Sequence, residues 1–161
     1  MKTPEEIFEY LKNEFGEDAL TFEKGDIGDP WILVKAATIK NVSKFLRDDP
    51  GMRFNMLMCL SGLHYPKEEE VGVVYNLHST ELHQTINLKV RVPVDGPAVP
   101  SVEAIWKTAD WHEREAYDMV GVIFDGHPNH KRILLPDDWE GHPLRKDYVQ
   151  QEFYRGVTTR S

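Results

Sequence analysis

Two runs of strict alternation constrain this chain more than anything else in it. Val71, Val73, Tyr75 and Leu77 fall on one side of an extended segment. After the polar link of residues 79–84, Ile86, Leu88, Val90 and Val92 alternate with Thr85, Asn87, Lys89 and Arg91. Successive side chains of a strand point to opposite sides of a sheet, so each run has one apolar and one polar face. Two such runs joined by a short polar link predict an antiparallel hairpin, buried on one side and wet on the other.

The segments around the hairpin supply what could cover its apolar side. Thr3-Pro4-Glu5-Glu6 is a capping box with proline at the first helical position, and Ile7, Phe8, Leu11 and Phe15 then share a helix face closed by Gly16. Residues 17–29 read as a strand end plus a turn, and residues 31–34 as a short buried strand. Thr38 is placed to cap a second helix with the stripe Ile39, Val42, Phe45 and Leu46, stopped by Asp49-Pro50-Gly51. Residues 54–63 read as a further strand, and Glu68-Glu69-Glu70 as a solvated turn. Pro93, Pro97 and Pro100 break the regular structure, and Pro100-Ser101 is expected to open a helical turn through Trp106. Asp110 and Glu113 repeat the capping-box spacing at the head of a third helix, which should run to about Val120 and end at Gly121. The order α, β, α, β, β, β, α predicts an α+β fold: an antiparallel or mixed sheet with helices on one face, over residues 1–125.

Beyond Phe124 the texture changes. Residues 126–161 show no sustained period of 2 or 3.6 and are interrupted by Gly126, Pro128, Pro136, Gly141, Pro143 and Gly156. They carry six basic side chains (Lys131, Arg132, Arg145, Lys146, Arg155, Arg160) against five acidic ones, whereas residues 1–125 carry a net −9. Yet Ile133, Leu134, Leu135, Trp139, Leu144, Tyr148, Phe153 and Tyr154 are scattered through them. An extended stretch this rich in large apolar groups is expected to be a C-terminal arm that lies on another protein's surface.

Composition removes several kinds of function. One cysteine in 161 residues excludes an internal disulfide, a four-thiolate iron–sulfur cluster and any structural zinc site needing two cysteines. A net charge of −8 argues against a nucleic-acid partner, which needs a basic surface to neutralise phosphates. The acidic N-terminus does not read as a signal peptide, and no apolar run approaches the roughly 18 residues of a membrane span. The expectation is a soluble, cytoplasmic chain that meets a membrane only through a partner. No Gly-x-Gly-x-x-Gly, phosphate-binding loop, Gly-x-Ser-x-Gly or Cys-x-x-Cys occurs.

The densest polar constellation is Trp111-His112-Glu113-Arg114-Glu115-Ala116-Tyr117-Asp118. Arg114 and Asp118 are four apart and are expected to pair on one helix face, with Glu115 directed to a different partner. Glu113 or Glu115 could serve as a general acid–base if burial shifted its pKa. A network of paired charges holding the helix to the tail or to another subunit is the favoured reading, because no substrate-binding feature accompanies them. His112, His127, His130 and His142 suggest half a metal site, but the spacing is not the helical pair of a zincin, and hydrogen-bonded turns are the simpler account. Cys59 reads as a buried structural thiol. Lys131-Arg132 and Arg145-Lys146-Asp147 suit an acidic protein neighbour.

The residues that follow resemble a known family. Trp111 to Gly121, then Phe124-Asp125-Gly126-His127-Pro128-Asn129-His130-Lys131-Arg132-Ile133-Leu134-Leu135-Pro136 and the run from Asp137 to Tyr148, look like the signature of the C subunit of NADH–quinone oxidoreductase, respiratory complex I. One departure is Asn55, Cys59 and His64, where many members carry acidic residues. The resemblance implies a structural subunit of the peripheral arm with no catalytic residue, no cofactor and no metal of its own. FMN, iron–sulfur clusters, NADH and quinone would belong to partner subunits. It implies packing chiefly on the D subunit, near the B and I subunits, on the cytoplasmic side of the inner cell membrane. Trp111, His112, Glu113, Arg114, Glu115, Tyr117, Asp118, His127, Lys131, Arg132, Arg145 and Asp147 would form the motif and interface. Related membrane-bound hydrogenases and dehydrogenases fed by ferredoxin or deazaflavin use similar subunits. A stand-alone metal-dependent hydrolase built on the His/Glu cluster, or a plain adaptor, are the alternatives of other classes.

Overall fold

The structure is a computed structural model that describes residues 1–26 and 28–159; Ile27, inside the turn expected over 17–29, and Arg160 and Ser161, at the end of the expected arm, lie outside the described residues. The alternating runs form β4 (Glu70–Ser79) and β5 (Gln84–Pro93), paired antiparallel from Glu70 opposite Pro93 to Ser79 opposite Gln84. Strand β3 (Met56–Tyr65) pairs antiparallel with β4, with a register shift between Leu57 and Cys59. On the other side β2 (Trp31–Val34) runs parallel to β5, and β1 (Leu20–Glu23) pairs antiparallel with β2. The sheet is therefore mixed, in the order β1-β2-β5-β4-β3.

Burial follows the alternation. Val71, Val73, Tyr75 and Leu77 on β4 and Ile86, Leu88, Val90 and Val92 on β5 are buried, together with Ile32 and Val34 on β2. They share one core with Ile7 and Leu11 of α1 (Pro4–Phe15), Ile39, Val42 and Leu46 of α2 (Ile39–Asp48), and Ala116 and Val120 of α3 (Ala109–Val120). The opposite side of the sheet is polar: the Lys89 ammonium sits 3.4 Å from the Trp31 ring centre, and Asn76 donates to Asn87 at 2.7 Å. The fold is α+β, as expected.

Helix α1 opens with the expected capping box, Thr3 and Glu6 each bonding the other's backbone N–H. The other two caps differ from expectation. Thr38 ends a single turn of 3-10 helix (Ala36–Thr38) and is itself helical in backbone angle, so its side chain caps nothing. Helix α3 starts at Ala109 with Thr108 at the cap position, two residues earlier than a cap at Asp110 requires, and the Glu113 side chain does not reach back to its head. Buried partners elsewhere claim it, and a fully desolvated carboxylate is held more strongly by them than by an exposed cap. Pro100 also differs. It lies in β6 (Val99–Pro100), a two-residue strand parallel to β7 (Phe124–Asp125), and only Val102 to Trp106 make a helical turn. Val99 and Ser101 donate to Ile123 and Asp125, so the position between them needs no N–H. Past residue 125 the chain is mostly irregular, apart from the hairpin of β8 (Phe153–Tyr154) and β9 (Val157–Thr158).

Candidate functional site

Helix α3 approaches the end strand β3 where Gly62 removes the obstacle: a Cβ there would stand 3.2 Å from both Ala116 Cβ and Val120 Cγ2. His112 Nδ1 accepts the Leu60 backbone N–H at 3.2 Å, satisfying a donor that an edge strand would otherwise expose. The helix ends at Gly121, whose φ of +87° is the left-handed conformation of a C-cap. A side chain there would also strike the ring of His142, 2.7 Å from an added Cβ.

Two buried carboxylates on α3 organise what surrounds it. Glu113 has no exposed surface; Ser101 Oγ donates to it at 2.6 Å and the Val102 N–H at 2.8 Å. Burial pushes its carboxyl up to about 7, against the opposing pull of the Ser101 and Val102 hydrogen bonds. The His127 side chain, fully buried, stands 3.9 Å from the same carboxylate and 3.3 Å from Asp110 Oδ1. Its Nδ1 accepts from the Asn129 N–H and its Nε2 faces the Asp110 carbonyl at 3.0 Å, so the proton belongs on Nε2.

Asp118 is the second. One oxygen accepts from Arg132 at 2.7 Å; the other accepts three consecutive backbone N–H groups, Ile133 at 3.1, Leu134 at 2.7 and Leu135 at 2.9 Å. Burial alone would raise its pKa, but donation from Leu135, Arg132, Leu134 and Ile133 outweighs it and holds the carboxyl below its ordinary range. Arg132 also donates to the carbonyls of Trp139 and Gly141, which bends the chain into a loop around the guanidinium. Arg114 does not pair with Asp118. It donates to the carbonyls of Lys131 and Arg132, because Asp118 is claimed by the stronger set of donors.

Histidine rings and main chain complete the attachment. Tyr117 lies between His130 and His142, with ring centres 4.4 and 5.7 Å away. His130 Nε2 accepts the Phe124 N–H, and burial followed by the neighbouring His127 lowers its pKa. His142 Nδ1 donates to the Asp118 carbonyl, and Leu144 N–H to Met119 O. Further on, Arg145 pairs with Asp147 at 3.1 Å and the Lys146 N–H donates to His64 Nδ1 at 2.9 Å. Hydrogen bonding to Arg145 lowers the Asp147 pKa.

Trp111 and Glu115 turn the other way. Trp111 is 68% exposed, and Glu115 is exposed with no hydrogen bond or ion pair among the described residues. With Leu134, 63% exposed, they line a cleft of about 390 Å³ between α3 and the attached chain.

Glu113, Arg114, Asp118, His127 and Arg132 are thus brought together with their polar groups spent on internal bonds, while Trp111 and Glu115 face outward. Glu113 titrates near neutrality, yet its carboxyl is sealed from solvent, so no dissolved substrate can reach it. His112, His127, His130 and His142 each have a ring nitrogen bonded to a backbone group. Among the described residues no group of three or more His, Cys, Asp or Glu is placed to hold a metal ion. Spacing in the sequence pairs neither Ser101 with Glu113 nor His64 with the Lys146 N–H, 82 residues later. Both contacts are long-range.

The family model and the curated relatives agree on one family. The family model described as respiratory-chain NADH dehydrogenase, 30 Kd subunit, matches residues 32–154. The NADH-quinone oxidoreductase C subunit of Chlorobium phaeobacteroides is 44% identical over 151 residues, 93% of this chain and 91% of that protein. Its counterpart in Chloroherpeton thalassium is 41% identical over 95% of this chain and 64% of its own length. That of Mycobacterium avium is 50% identical over 71% of this chain, which spans half of that longer protein. Among solved structures, one of the membrane-bound sulfane sulfur reductase, an archaeal respiratory membrane complex, superposes with a TM-score of 0.71 at 25% identity, over 90% of this chain and 85% of that one. The trypsin-resistant fragment of Nqo5 superposes with a TM-score of 0.62 at 28% identity, over 76% of this chain and 98% of the fragment.

Proposed function

Since the chain belongs to the family of the respiratory-chain NADH dehydrogenase 30 Kd subunit, we propose that it is a structural, non-redox subunit in the peripheral arm of a proton-translocating NADH–quinone oxidoreductase. Electrons pass from NADH through flavin and iron–sulfur clusters to quinone in the other chains. This one holds the arm of the complex together on the cytoplasmic side of the membrane, chiefly against the D subunit and near the B and I subunits. Residues 1–125 act as the packed core, and residues 126–161 as an arm whose outer side meets the neighbouring protein.

The observation that carries this reading is the use made of the motif on α3. Arg114, Asp118 and Arg132 are committed to holding residues 131–141 against the core, and Glu113 to fixing Ser101 and Val102 beside the helix, which is what a scaffold needs and a catalyst does not. The single cysteine supports it, since thiolate-held clusters must then reside elsewhere. Among the described residues no helix is long and apolar enough to cross a membrane, so attachment through a partner fits the fold.

The likeness to one component of the sulfane sulfur reductase supports one other assignment, the equivalent place in a related respiratory complex with a different electron donor. Isolation of the N-terminally tagged chain from gently solubilised membranes separates the two. A brown, multi-subunit eluate that reduces quinone with NADH is the expected result. A brown eluate that ignores NADH and accepts another donor moves the chain to a related complex. A colourless single chain from intact membranes overturns both.

A further inference from the structure

The cleft between α3 and the attached chain has two rigid walls and an unbalanced charge. One wall is α3, where Trp111 and Glu115 follow one another at four-residue spacing along the outward face, with Lys107 in the turn before the helix. The other is Ile133 and Leu134, fixed in place because their N–H groups are bonded to the buried carboxylate of Asp118. Lys107 at one end is paired with Glu103. Glu115 at the other end, one helical turn beyond the 68%-exposed Trp111, has no partner among the described residues. An exposed indole, an aliphatic wall and a free carboxylate lining one cleft match the three things an arginine side chain offers: an apolar stem, a planar face that stacks on aromatic rings, and a fork that binds carboxylate. Lysine fits less well, since its compact, strongly hydrated ammonium neither stacks nor binds with two parallel bonds.

Building on the reading that the chain is part of a multi-protein complex, we propose that this cleft is a docking site for an apolar segment of a neighbouring subunit that carries an arginine, the guanidinium lying over Trp111 and bonded to Glu115 while aliphatic neighbours rest on Leu134. The occupant is a different chain and not a second copy of this one. With a net charge of −8, two copies repel, whereas a basic segment is drawn to Glu115. The contact is separate from the attachment of the arm, since neither Trp111 nor Glu115 contributes to the bonds of Asp118, Arg114 or Arg132.

The test places a photoreactive benzoylphenylalanine at position 134 of the tagged full-length chain, in cells that assemble the complex. After illumination, the cross-linked peptide is identified by mass spectrometry. One peptide from another subunit, with an arginine within about one helical turn of the cross-linked residue, is expected. In parallel, Glu115→Arg should weaken capture of that subunit about tenfold or more, the scale of loss when one member of a desolvated charge pair is removed. Glu115→Gln should do less, and reversing the identified arginine to glutamate should restore capture by Glu115→Arg. The melting curve of the purified chain should be unchanged by Glu115→Arg, because Glu115 has no partner to lose. A cross-link to a second copy, to lipid, or to a segment without arginine overturns the proposal, as does undiminished capture by Glu115→Arg. Wild-type chain that recovers the complex while position 134 cross-links to nothing sinks the cleft assignment alone. Wild-type chain that recovers no other protein of the complex sinks the parent reading, and the cleft assignment with it.

Discussion

The carboxylate of Asp118 and the guanidinium of Arg132 meet at 2.7 Å, fourteen residues apart in sequence, with no surface of Asp118 exposed. This contact ties irregular chain to regular structure. The three N–H groups that complete the Asp118 shell belong to residues 133–135, so one side chain of α3 orients a whole turn of the arm. A buried ion pair adds little relative to a well-packed apolar pair, but removing one member strands the other in a medium that solvates it poorly.

Asp118→Asn is therefore expected to destabilise the chain by about 3 kcal/mol or more, the usual cost of breaking a buried pair from one side. Chemical denaturation measures the loss, and tryptic cleavage at Lys131 and Arg132 should accelerate ahead of cleavage in α1. Equal cleavage rates at both sites would show that Asp118 does not hold the arm. Because the folded pKa of Asp118 lies below its unfolded value, its contribution is in place above pH about 4 and drains away as pH falls further.

Glu113 has the opposite pH dependence. Its carboxyl titrates near 7 in the folded chain and near the ordinary 4.5 when unfolded. The folded state therefore holds the extra proton between those values, and stability should decline as pH rises from about 4.5 to about 7, by up to about 3 kcal/mol. Glu113→Gln carries no charge and should flatten that decline, with a constant offset from the hydrogen bond lost to Ser101 or Val102. Denaturation midpoints of both chains at half-unit steps from pH 5 to 8 read the difference. Parallel curves would refute a raised Glu113 pKa.

Arg114 uses two of its donors on consecutive carbonyls, Lys131 O at 3.1 Å and Arg132 O at 2.8 Å. Lysine keeps the charge but not the fork. Arg114→Lys should cost about 1–2 kcal/mol, the scale of one hydrogen bond to a charged group. Amide exchange at residues 131–135 should quicken while β4 and β5 are unaffected.

Two glycines separate backbone strain from crowding. Gly121→Ala meets both a φ of +87° and the ring of His142, and should cost about 3 kcal/mol. Gly62→Ala meets only ordinary backbone and the tight contacts to Ala116 and Val120, and should cost about 1 kcal/mol by lifting α3 slightly. Denaturation of the two variants side by side should show this order; the reverse would mean that His142 moves aside freely.

The elements with strong local patterns were readable in advance. Helix α1, the β4–β5 hairpin and the Gly121 stop emerge from period, capping chemistry and turn residues, which act over a few positions. Two capping expectations failed: Thr38 ends a 3-10 turn with helical backbone angles, and Glu113 is claimed by tertiary partners that no spacing reveals. The Arg114–Asp118 pair failed likewise, because i, i+4 proximity on a helix counts for less than a shell of four donors closing on a buried carboxylate.

The sequence by itself determined the α+β class, the family through the continuous motif from Trp111 to Tyr148, and the shortage of thiolates that excludes a four-thiolate iron–sulfur cluster within these 161 residues. Those follow from period, composition and identity of residues, which are local or additive. Only the tertiary structure decided that Ser101 and Val102 cradle Glu113, that Asp118 anchors residues 132–135, and that Trp111 and Glu115 face outward beside Leu134. Such choices rest on which groups lose water together when β3, α3 and the arm close on one another, and that competition is settled by packing in three dimensions.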